Sequence, residues 1–81
     1  MPNVSNANTV AMMKAYINDR FRDHPEPVAR DLRAVANDAV DRVVHDDHHG
    51  ANIALGRLPP EAAKDIRAKL KELDIELKPA Q

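Results

Sequence analysis

Prolines at positions 25 and 27, and again at 59 and 60, divide this chain into three stretches, because proline is tolerated in a helix only where no backbone N–H is lost. Each stretch repeats its apolar residues at the helical period. In the first, Val10, Met13, Ile17 and Phe21 form one stripe, and Asn8 or Thr9 supplies a short side-chain oxygen for the N-terminal cap. In the second, Val28, Leu32, Val35, Ala39 and Val43 recur at steps of three and four, supported by the i,i+4 pairs Glu26 to Arg30 and Asp38 to Arg42. That helix is expected to run to about His49, with Gly50 as its C-terminal cap. Ala51 to Leu58 reads as a linker with room for one short turn of helix. Pro59-Pro60-Glu61 then starts a helix carried by Ala63, Ile66, Leu70 and Leu73, and Ile75 and Leu77 share one side of a short extended tail.

The expected fold is therefore all-α: a helical hairpin plus a third helix, resembling a three-helix bundle. Residues 1–8 form a flexible tail, 9–78 a single domain and 79–81 a C-terminal tail. Of the 35 hydrophobic residues among 81, 13 are alanine, which leaves a thin supply of large side chains for an interior. Self-association is the simplest way to thicken it. The stripe Val28, Leu32, Val35, Ala39 and Val43 is the expected dimer interface, since small side chains let helices approach closely. The competing expectation is that this helix is simply the buried centre of a monomer.

The inventory excludes much chemistry. The sequence has no cysteine, and Ser5 and Thr9 are its only aliphatic hydroxyls, so no Ser-His-Asp or Cys-His arrangement can be assembled on rigid elements. Two glycines, Gly50 and Gly56, cannot make a phosphate-cradling loop. With one tyrosine, one phenylalanine and no tryptophan, base stacking is also poorly served. No enzymatic activity and no cofactor are expected. Neither a secretory signal nor an apolar window of membrane-spanning length is visible, so no membrane association and a cytoplasmic location are expected.

Three candidate surfaces remain. The first is a docking surface for another protein: Met12, Tyr16, Arg20, Arg30 and Arg33 are the expected contacts, because these residue types combine large contact area with an adaptable or polar end. On this reading the protein is an adaptor, regulator or inhibitor of a larger partner. The second is a basic ridge, Lys64, Arg67 and Lys71, able to face phosphates of a nucleic acid. Five acidic residues match five basic ones over 61–81, however, and a helix-turn-helix made of 51–56 and 60–73 has a short first element. The third is the segment around Asp41, His45, His48 and His49. On one continuous helix these side chains share a solvent-facing side and offer imidazoles and a carboxylate to zinc or nickel, or a response to pH. The plainer account is a polar helix end whose histidines favour the negative C-terminus.

Overall fold

The computed structural model describes residues 7–79 and is all-helical, with α1 over Ala7–Arg20, α2 over Val28–Val44, α3 over His48–Gly56 and α4 over Pro60–Glu72. The tail expected at 1–8 falls largely outside the described residues, as do residues 80 and 81. Helix α1 already includes Asn8 and Thr9, which therefore do not cap it: alanine is the best helix former, and the helix continues upstream through Ala7. Met13, Ile17 and Phe21 are fully buried along the expected stripe. A turn closed by Arg22 N–H to Asp19 C=O and His24 N–H to Phe21 C=O ends it, and the Pro25 and Pro27 carbonyls accept the first bonds of α2.

Helix α2 stops at Val44 instead of running to His49. Asp46 takes φ 67°, its N–H donates to Val43 C=O, and the Asp47 N–H reaches back to Arg42 C=O at 2.7 Å. This pair of bonds around a left-handed residue is a Schellman motif, with aspartate in the place usually held by glycine. Gly50, expected to be the cap, instead lies inside α3. Helix α4 ends in the same way: Asp74 has φ 61°, Asp74 N–H donates to Lys71 C=O and Ile75 N–H to Leu70 C=O at 2.8 Å. Ile75 thereby lands in the core beside the α4 stripe of Ala62, Ile66 and Leu70, and the chain continues to residue 79 without helix or strand.

The expected linker is largely the nine-residue helix α3. Asp47 caps it by accepting the Gly50 N–H at 2.9 Å, and Ala51, Ala54 and Leu55 form its buried face at helical spacing. A Cβ on Gly50 would stand 2.2 Å from Asp47 Oδ2 and 2.8 Å from Arg42 Nη1, so glycine is what lets the cap and this arginine close over the helix start.

Two cross-links show that α1 and α2 run antiparallel: Lys14 to Asp41 at 2.8 Å and Arg33 Nε to Asn18 C=O at 3.3 Å. Helix α4 lies on the other flank of α1, tied by Arg20 to Asp65 at 3.0 Å. The most extensively packed helix pair is α2 with α3, and both carry buried alanine: Ala36, Ala39, Ala51 and Ala54. The Cα radius of gyration is 11.8 Å. A compact chain of this length has about 12 Å, so the described residues form a compact unit.

Candidate interaction surface

The α2 stripe expected at a dimer interface is split by this packing. Ala39 is fully buried and Val43 is 6% exposed, both inside the chain's own core. Helix α2 packs against both α1 and α3 and turns Ala29, Ala36 and Val40 inward beside them. Leu32 and Val35 are half-buried at the core's margin, while Val28 is 47% exposed. What remains on the outside is an apolar edge at i, i+4 and i+7 on the N-terminal half of α2.

Of the five side chains expected to meet a protein partner, three are engaged within the chain. Tyr16 is half-buried, with the Lys69 ammonium 5.4 Å from its ring centroid. The Arg20 guanidinium pairs with Asp65 and sits 5.6 Å from the Phe21 ring centroid, so it helps fasten α1 to α4. Arg33 pairs with Glu26 at 3.3 Å as well as with the Asn18 carbonyl. Glu26 is thereby drawn to Arg33 and not to Arg30, the partner expected from i,i+4 spacing. Met12, 55% exposed, and Arg30, exposed and without a polar partner among the described residues, remain open. The antiparallel register sets them at opposite ends of the α1–α2 pair. A further open apolar residue, Ile53 on α3, is 49% exposed.

Lys64, Arg67 and Lys71 are all exposed along α4, with Glu61 and Glu72 exposed on the same helix. Arg67 Nη1 donates to Asn52 Oδ1 at 2.7 Å, so the middle of this ridge is engaged within the chain. Between α4 and the C-terminal segment lies an open cleft of about 370 Å³, lined by Arg67, Leu70, Lys71, Glu76 and Leu77 among others.

The histidine segment is not one helical face. The Schellman motif turns the chain between His45 and His48, placing His48 and His49 on α3 while Asp41 stays on α2. Asp41 pairs with Lys14, and His45 Nδ1 donates to the Asp41 carbonyl at 2.7 Å. Among the described residues no three histidines or carboxylates converge on a point that could hold a metal ion. His48 instead meets Asp46 at 2.8 Å and the Lys78 main chain at 3.2 Å.

Arg42 joins the two helices by pairing with Asp38 and Asp47, both at 2.9 Å, and these carboxylates raise its pKa, Asp38 most. The pKa of Asp47 is lowered, first by the Gly50 N–H it accepts and next by Arg42. A depressed carboxylate stabilises the fold above its ordinary pKa and loses that contribution as pH falls through the folded value. Below that range the wild-type thermal midpoint is expected to fall further than that of Asp47→Asn, which keeps the cap but cannot titrate. Melting curves by circular dichroism across the acid range measure the difference; equal falls would show that the Asp47 charge contributes nothing to stability.

Among the described residues no helix is long and apolar enough to cross a membrane. Comparison with protein-family models, curated proteins and solved structures found no match.

Proposed function

We propose that this is a small non-enzymatic helical protein that acts by binding another protein, as an adaptor, regulator or inhibitor, and that pairs with a second copy through the N-terminal half of α2. The observation that carries this reading is the residual apolar surface. The described helices bury a shared core, yet Met12, Val28 and Ile53 remain about half exposed on three helices, and Leu32 and Val35 extend the Val28 edge. Large apolar groups left open around a buried core favour association, since covering them removes more apolar area from water. The absence of cysteine and the position of Ser5 and Thr9 near the N-terminus favour a non-enzymatic role, and the cytoplasmic location belongs to the same proposal. Light scattering at micromolar concentration, with Met12→Asp and Ile53→Asp as controls for the other patches, tests the self-association. About twice the chain mass for wild type and both controls is expected; a monomer at every concentration overturns the α2 pairing. Capture of a partner by wild type but not by Met12→Asp or Ile53→Asp tests the docking role.

A second reading, a nucleic-acid-binding regulator, is favoured by one observation. Helix α3 has nine residues rather than one turn, and only residues 57–59 separate it from α4, so the helix-turn-helix spacing fits better than the sequence implies. The acidic residues of α4 and the engagement of Arg67 weigh against it. Retardation of duplex DNA that weakens with salt and with Lys64→Ala or Lys71→Ala would favour this reading over protein docking.

A further inference from the structure

The C-terminal segment after α4 is held by side chains, not by a β-ladder. The Lys78 N–H donates to His48 Nδ1 at 3.2 Å, and the Lys78 carbonyl accepts from Asn52 Nδ2 at 2.8 Å. One residue thus has both its main-chain groups captured by α3. Asn52 Nδ2 also donates to the His48 carbonyl at 2.9 Å, and Arg67 Nη1 donates to Asn52 Oδ1 at 2.7 Å, which fixes which way the amide points. On its other side the His48 ring presents Nε2 to Asp46 Oδ1 at 2.8 Å.

We propose that His48, Asn52 and Lys78 form a proton-operated clasp, closed while the His48 ring is neutral and released when the ring takes up a second proton. A backbone N–H can only donate, so the Lys78 contact requires a lone pair on Nδ1. The Asp46 carboxylate can only accept, so the other contact requires a proton on Nε2. Both select the same neutral tautomer. A further proton must go to Nδ1, where it would set one N–H against another and cancel the Lys78 bond. Asp46 then faces an imidazolium and keeps the ring where it is, so the C-terminal segment is the part that yields.

The charged surroundings leave this logic intact. Asp46, in the α2–α3 connection, is the group in contact with the ring; Arg67 of α4 reaches His48 only through Asn52; Asp47 accepts from Gly50 and Arg42; His49 and the Lys78 side chain are exposed. The His48 side chain is itself 16% exposed, so a proton from solvent can reach it.

Release has a local structural consequence. Ile75 stays anchored, because its N–H bonds to the Leu70 carbonyl through the α4 cap, which involves no histidine. Glu76 and Leu77, between that anchor and the clasp, line the cleft beside Arg67, Leu70 and Lys71. Opening at Lys78 therefore frees one wall of the cleft and uncovers half-buried Leu77 while the helices stay in place. This inference does not depend on the docking reading.

Amide hydrogen exchange on the full chain, followed by NMR and corrected for intrinsic exchange rates, tests it from about pH 8 to about pH 5, the range in which histidine changes charge. The Lys78 amide is expected to lose protection as pH falls, by at most about tenfold per pH unit, the limit for one linked proton. Ile75 serves as the reference and should hold its protection. His48→Asn keeps an acceptor at the δ position that cannot be protonated, so Lys78 should stay protected throughout; His48→Ala should leave it unprotected throughout. Flat Lys78 protection in the wild type, or the same fall in His48→Asn, overturns the clasp. If either variant does not fold, ¹⁵N shifts of the wild-type ring decide: a proton on Nδ1 at alkaline pH also overturns it.

Discussion

Phe21→Ala is expected to destabilise the fold by about 3–5 kcal/mol, the usual cost of removing a fully buried phenylalanine side chain. Phe21 is the largest side chain in the core and is wholly out of solvent. Its ring meets His24 edge-on at a centroid distance of 5.8 Å and lies beneath the Arg20 guanidinium, at the end of α1 where the chain turns into α2. Two features keep the cost at the upper part of that range. Among the described residues, six of the sixteen that form the buried core are alanine, too short to move into the vacated space. Arg20 also loses the face it packs on, which loosens its bond to Asp65 and with it the α1–α4 contact. A chain of this length has a total stability of about 4–12 kcal/mol, so the variant should be close to unfolding at physiological temperature. Urea titration checks this through the transition midpoint, which should fall sharply at unchanged slope. A loss below about 1 kcal/mol would mean that α1 is not anchored by Phe21.

The helical class, the α1 stripe and the start of α4 were all readable, because their signals are local. Met13, Ile17 and Phe21 repeat at one period, and Pro60 with Glu61 marks a helix start by geometry and charge. The end of α2 was not readable from the glycine rule. The chain takes its left-handed turn at Asp46, which aspartate tolerates at modest cost, and it uses Gly50 for close approach to Asp47 instead. Helix α3 was obscured because two of the three residues of its buried face are alanine and one of its two large apolar residues, Ile53, is about half exposed while only Leu55 is buried. A clue was present all the same: Asp47 stands in the N-cap position ahead of Ala51, Ala54, Leu55 and Leu58 at helical spacing.

The split of the α2 stripe has a related cause. Valine and leucine dominate a sequence stripe by size, but a helix pressed between two neighbours turns its smallest residues to the closest contact. Ala36 and Ala39 are inside while Val28 is outside. Candidate docking residues were the least legible part. Whether an arginine is free depends on which acid or carbonyl another helix brings to it, as Asp65 does for Arg20 and Asn18 for Arg33. The histidine segment shows the same dependence: spacing alone placed four groups on one helix, whereas the turn at Asp46 assigns His48 to the C-terminal segment.

The split of the α2 stripe leads to the second large effect, a contrast between two substitutions of the same chemistry. Val43→Asp should destabilise the folded chain by about 3–5 kcal/mol, since it places a carboxylate without a partner inside the chain's own core. The loss should appear at every protein concentration, because the site is closed within one chain. Val28→Asp instead sits on a surface position, where an added charge costs the monomer less than about 0.5 kcal/mol. If two copies pair along Val28, Leu32 and Val35, that charge becomes buried on association and should shift the protein to a monomer. Its thermal midpoint would then no longer rise with concentration, as the wild-type midpoint should for a folded dimer. Light scattering and melting curves on wild type, Val28→Asp and Val43→Asp separate core from interface. Unfolding by Val43→Asp together with unchanged mass for Val28→Asp would place the apolar edge of α2 outside any self-interface and leave it to a different partner.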